Sequence, residues 1–204
     1  MLETDRTRIM TSPCCVVAAS SHVADAALRR ACYVLRFLLA DRLSTRQAFY
    51  AAQSRVAVMA HSESIRDLPE YDFLPSMFDT RVRALAGTPT VPVTAIGEEN
   101  LLCFSDDENR PEDTLVRELA VSILLTAVPL TMPKLRRMVD AQYELAMASG
   151  LWEDTFASKS PELYFVSCQQ RLYDLVMQLN GELCASCDLT CSCSTDHWCP
   201  PCFA

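Results

Sequence analysis

Pro111-Glu112-Asp113-Thr114-Leu115-Val116-Arg117-Glu118-Leu119-Ala120-Val121-Ser122-Ile123-Leu124-Leu125-Thr126-Ala127-Val128 is the stretch on which the fold turns. Proline fits a first helical turn, where its missing N–H has no intrahelical partner to lose, and Glu112 and Asp113 suit the positive end of a helix. From Leu115 to Val128 apolar residues fall on nearly every side, which predicts a helix buried all round at the centre of a domain. Pro129 and Pro133 are expected to end it, because proline removes a donor and clashes with the preceding turn. The apolar run Leu119–Val128 is broken only by Ser122 and Thr126. It is too short to cross a bilayer, which takes about 20 residues.

Outward from this helix, other elements follow from periodicity. Ala27, Ala31, Val34, Leu35 and Leu38 recur at helical spacing, with Arg29, Arg30 and Arg36 off the stripe, and predict a helix from Val23 to about Leu39. A second helix is expected over Ser44 to Gln53, with Ser44 or Thr45 as its cap. Arg55 to Ala60 is short, apolar and partly β-branched, so it reads as a buried strand. Residues 61–100 are rich in Pro, Asp and Thr and read as mostly loop, with a helical turn near Ser76–Leu85. Val91-Pro92-Val93-Thr94-Ala95-Ile96 reads as an edge strand, since proline lacks a ladder donor. Helices are expected at Lys134–Ser149, closed by Gly150, and at Pro161–Gln178. The body is therefore α+β and predominantly helical, with a central buried helix and a few short strands.

The 204 residues, half of them apolar, suffice for one good core. Division into a loose leader at 1–22, a folded domain at 23–180 and a Cys-rich tail at 181–204 fits the pattern. The net charge of −8 and the lack of any Lys/Arg run argue against nucleic acid and against an anionic membrane surface as partners. No signal peptide or transmembrane segment is visible, which leaves the compartment unknown and tilts the expectation toward the cytoplasm.

Gly97-Glu98-Glu99-Asn100-Leu101-Leu102-Cys103, an acidic loop and then Arg117-Glu118-Leu119-Ala120-Val121 resemble a run in metallopeptidase-like proteins related to the protease domain of anthrax lethal factor. In that family a G-E-E-N-L-L segment precedes a helix carrying H-E-F-A-H. Val58-Met59-Ala60-His61-Ser62-Glu63, then Asp67-Leu68-Pro69-Glu70, is similar to the family's strand and loop. Arg81 to Thr88 is similar to its R-A-R-G-L-G-G-T. Gly150 to Ala157 resembles its G-L-W-x-x-T-Y-A, and Leu163-Tyr164-Phe165-Val166-Ser167 its E-Y-F-A-E. The resemblance spans roughly 27–176 and implies a zincin-like metallopeptidase domain.

It also implies that the zinc chemistry is gone. A catalytic zinc takes three protein ligands and leaves one position for water, and a glutamate beside the first histidine acts as base. The resemblance places Arg117, Val121 and Leu163 at the ligand positions. Arginine stays protonated without a lone pair to offer, and valine and leucine carry no donor atom. Glu118 alone remains, in the general-base position, and Phe156 stands where the family has a tyrosine. Sliding the register would make Glu162 the third ligand, at the cost of a gap and of the match at Tyr164 and Phe165. The chain's histidines are His22, His61 and His197, and no two sit at i, i+4 on one helix. Adjacent helical residues diverge by about 100°, so Arg117 is not required to pair with Glu118 directly. Glu98-Glu99-Asn100 reads as a set of turn-capping groups beside the central helix, and Trp152, Tyr164 and Phe165 as core anchors.

Six of the eleven cysteines crowd the tail: Cys184, Cys187, Cys191, Cys193, Cys199 and Cys202. The two C-x-x-C pairs Cys184/Cys187 and Cys199/Cys202 have the form of a closed four-thiolate zinc site, which would be structural because it has no open position. Six cysteines exceed four ligands, so free thiols and disulfides stay as alternatives. No cofactor is expected in the body. The function expected is that of a catalytically inactive metallopeptidase-like protein, a pseudoprotease, acting by binding a protein or peptide. The alternatives are an active hydrolase with relocated metal ligands and a metal-binding adaptor acting through its tail.

Overall fold

A computed structural model describes residues 8–12, 15–40, 42–79, 82–109, 112–152 and 160–167. The tail cysteines, Phe156 and the stretch beyond residue 167 lie outside the described residues.

Five strands form one mixed sheet: β1 (Arg8–Ser12), β2 (Cys15–Ala19), β3 (Arg55–Met59), β4 (Ala84–Leu85) and β5 (Val93–Gly97), in the order β1-β2-β3-β5-β4. β2, β3 and β5 are parallel, while β1 and β4 run antiparallel to their neighbours. The stretch 1–22, read from sequence as a loose leader, therefore supplies two of the strands. Val56 and Val58 of β3 pack on one face of the sheet, against α1 (Asp25–Leu38) and α4 (Thr114–Thr126). Ala57 alternates to the other face with Val93 and Ala95 of β5, under Ile65 and Tyr71 from the 61–79 segment. A strand covered on both faces is apolar at successive positions, which explains why Val56–Met59 reads as a continuous apolar run.

The helices follow their sequence signals with informative departures. α2 (Leu43–Ala51) starts at Arg42 without a side-chain cap. Thr45, expected as a cap, lies inside the helix and is buried, with its hydroxyl 3.4 Å from that of Thr131. α4 begins at Thr114 because the Asp113 carboxylate accepts from Val116 N–H, satisfying a first-turn donor. It is followed by α5 (Val128–Thr131) and α6 (Pro133–Ala148). α4 ends ahead of Pro129, as expected, and Pro129 and Pro133 lie in the opening turns of the two helices that follow, where a first-turn N–H has no partner within the helix. α6 closes as expected: Gly150 adopts φ +67°, its N–H reaches Met147 O, and Leu151 N–H reaches Ala146 O.

Residues 65–67, 69–71 and 76–78 form single 3₁₀ turns. β5 is a correction to the sequence reading, for it lies between β3 and β4 and not at an edge. Pro92 precedes its first paired residue, Val93, so the missing donor falls outside the ladder. The edge on that side is the two-residue β4, which no periodicity could signal. The α+β class holds.

Candidate functional site

The Gly97–Leu101 turn organises the region around the N-terminus of α4. Glu98 and Glu99 open α3 (Glu98–Leu101) and are buried. Isolated buried carboxylates are costly, and each here has donors. Glu98 accepts from Ala24 N–H at 3.0 Å and His61 N–H at 2.9 Å, joining the start of α1 to the end of β3. Glu99 accepts two bonds from Arg83, at 2.6 and 2.8 Å, while the same guanidinium donates to the carbonyls of Ala60 and Glu63. These bonds hold the Arg83 guanidinium above its already high ordinary pKa, so it stays charged. A Cβ on Gly97 would lie 2.1 Å from a Glu99 carboxylate oxygen, so a side chain there would push that carboxylate off Arg83. Asn100 donates to Asp107 and to Glu112 O, and accepts from Thr114 N–H at the first turn of α4. The three polar residues are joints between segments, broader in reach than a turn cap.

α4 meets the sheet edge through Ser122 and Glu118. The Ser122 hydroxyl is buried, accepts from Gly87 N–H at 2.7 Å and pairs with Thr94 Oγ1 at 2.7 Å. One turn earlier the Glu118 side chain lies beside the backbone of Ala86, the residue after β4. Arg117 folds back along the helix: Nε donates to Glu118 Oε1 at 2.9 Å and Nη1 to Glu112 Oε2 at 2.8 Å. Burial pushes the Glu118 carboxyl above its ordinary range. Arg117 opposes the shift by charge and hydrogen bond, Glu112 adds to it, and the Ala86 backbone opposes it. Tyr71, whose hydroxyl donates to Val93 O, is pushed up to about 12 by burial and then by the charges of Glu70 and Glu118.

Of the positions singled out by resemblance, Arg117, Glu118 and Val121 share α4. Val121 is buried and Arg117 half-buried. Leu163 lies on the helical segment 161–167, half-buried. Glu162, the alternative in a shifted register, is 4% exposed and engaged elsewhere: Arg136 and the Ser160 hydroxyl both donate to it. Arg136 also grips Asp140 at 2.7 and 3.0 Å, which anchors the segment to α6. Tyr164 packs its ring edge-on to Trp152 and Tyr143, at centroid distances of 5.3 and 6.0 Å, in keeping with anchoring roles. The Arg83–Glu99 and Arg136–Glu162 pairs were not singled out from sequence. The signal was a carboxylate inside an apolar run, which needs a distant cation that spacing does not name.

Among the described residues no group of three or more His, Cys, Asp or Glu side chains is arranged to hold a metal ion. Arg117, Val121 and Leu163 do not fit one either, since a guanidinium and two aliphatic side chains offer no lone pair. Cys184, Cys187, Cys199 and Cys202 lie outside the described residues. No helix among them is long and apolar enough to cross a membrane. No family model, curated protein or solved structure matches the chain, so the family resemblance rests on the quoted motifs alone.

Proposed function

We propose that the chain is a catalytically inactive metallopeptidase-like protein, built on a zincin-like domain, that acts by binding a protein or peptide. The observation that carries this reading is the Arg117–Glu118 contact. A general base must be free to take a proton from a metal-bound water. Here the carboxylate in the base position is held by its neighbour's guanidinium. A fixed cation occupies the position at which the resemblance places the first zinc ligand. Val121 and Leu163 supply no alternative donor.

The test is peptide-library cleavage by the full chain, with and without a chelator, beside its Glu118→Ala variant. No turnover above background is expected from either protein. Chelator-sensitive cleavage that disappears in Glu118→Ala would defeat the proposal. Any zinc in the full chain is assigned to Cys184, Cys187, Cys199 and Cys202, as a structural four-thiolate site. Cobalt titration should then give thiolate charge-transfer bands that Cys187→Ser and Cys199→Ser remove and Cys191→Ser leaves. An absence of such bands would refute that assignment.

A further inference from the structure

On the sheet face opposite α1 and α4, a cavity of about 670 Å³ opens over β2 and β3. Its floor is Ala18 and Ala57, register partners on the two parallel strands. Methyl groups at both positions leave depth that any larger pair would fill. Its walls come from the segments that follow the carboxyl ends of β2 and β3, which carry His22, Glu63, Asp67 and Glu70. The volume lies within the usual range of ligand sites, about 300–1,000 Å³.

The chemistry of the walls narrows the ligand. Glu70 is neutralised by Arg55. Glu63 accepts from Ala60 N–H through Oε2 and faces His22 Nδ1 at 3.5 Å through Oε1. Asp67 uses Oδ2 on the amide and hydroxyl of Ser64, a cap that leaves its negative charge in place. Arg83 touches the Glu63 backbone, but its charge is taken by Glu99. An apolar floor beneath two carboxylates that have no lysine or arginine partner among the described residues suits a slender alkyl stem ending in a positive charge.

We propose that this cavity binds an alkylammonium group, as a lysine side chain of a polypeptide or a free alkylamine would present it. None of its lining residues belongs to the former ligand positions, so the inference is independent of whether the chain is inactive as a peptidase.

The experiment is amide-resolved NMR titration of the full chain with three probes. These are butylammonium, acetyl-Gly-Lys-Gly-amide and the norleucine counterpart of that peptide. Saturable shifts at Ser20, Ser62–Glu63 and Asp67–Glu70 are expected with the ammonium probes and not with norleucine, weakening as salt is raised. Binding of both ammonium probes identifies the head group as sufficient, and binding of the peptide alone identifies a polypeptide as the source. Glu63→Gln with Asp67→Asn should weaken binding at least about tenfold, as expected when a charge-assisted contact is lost. Ala18→Leu should abolish it by filling the floor. Equal binding of the norleucine peptide, shifts centred elsewhere, or no saturation by any probe would overturn the proposal. Unchanged affinity in the double variant would do so as well, and it does not depend on Ala18→Leu folding.

Discussion

Arg117 and Glu118 are neighbours in the chain and also partners in space, with Nε 2.9 Å from Oε1. Side chains of successive helical residues point about 100° apart, so the contact exists because the long guanidinium stem bends back while Glu112 holds its other end. Removing it in Arg117→Ala leaves a mostly buried carboxylate without its ionic partner. A loss of about 1–3 kcal/mol at pH 7 is expected, smaller near pH 4, with Arg117→Lys restoring part of it. Urea denaturation at the two pH values measures this. An equal loss at both would show that packing, not charge, is at stake.

Burial raises the Glu118 carboxyl above its ordinary 4.5 despite Arg117. The folded state therefore holds this proton more tightly than the unfolded chain. Its contribution is fully present below the unfolded value and is lost as pH rises through the folded one. Relative to Glu118→Gln, the wild type should lose stability on going upward from about pH 4.5, then level off. The difference between the two pH–stability curves isolates this group, and a difference that grows in the wild type's favour with rising pH would contradict the assignment.

Glu99 and Arg83 form a pair 6% and 20% exposed in their side chains. Glu99→Gln is expected to cost about 3–5 kcal/mol, because a nearly buried guanidinium then lacks its counter-charge. Arg83→Met should cost a similar amount. The double variant should cost less than the sum, and additive losses in the thermodynamic cycle would show that the two do not act as a unit.

Gln53 follows α2 with φ +57°, its N–H bonded to Tyr50 O and the Ser54 N–H to Phe49 O. A left-handed position of this kind favours glycine. Gln53→Gly should stabilise by about 0.5–1 kcal/mol, read as a rise in the denaturation midpoint at unchanged slope. A fall in the midpoint would mean that the side chain makes contacts worth more than the backbone strain.

Arg117→His with Val121→His should give at most weak zinc affinity, since Leu163 adds no ligand. Adding Leu163→Glu should strengthen it at least about tenfold if the ungapped register is right. Tight binding by the double variant, abolished by Glu162→Ala, would favour the shifted register. Arg136 and Ser160 already occupy the Glu162 carboxylate, which weighs against that outcome.

What the sequence disclosed was local. The Gly150 closure of α6 and the buried character of Val56–Met59 were legible because each depends on a few consecutive residues, whereas α4 begins at Thr114, three residues after the Pro111 expected to open it. Pro92 misled because a missing donor marks either an edge or a strand boundary, and only pairing with β3 and β4 decides between them. Ala84–Leu85 is shorter than any period. The links made by Glu98 to Ala24 and by Arg83 to Glu99 cross 74 and 16 positions. Spacing cannot announce such partners, although a carboxylate in an apolar setting announces that one must exist. For the candidate site, residue identity revealed the missing donors, but which oxygen Arg117 occupies is a matter of geometry.

The end of β4 has a bearing on self-association. A sheet border with open amide groups is a template on which another chain can add a strand, and long apolar borders invite fibrils. Here that border is two residues long, and the Gly87 amide just beyond it turns inward to Ser122. The helix thereby closes this border from beneath. An incoming strand would find little ladder to extend there and would have to break a buried hydrogen bond to gain more. Ser122→Ala, which frees that amide, is the change that would open this border to edge-to-edge pairing.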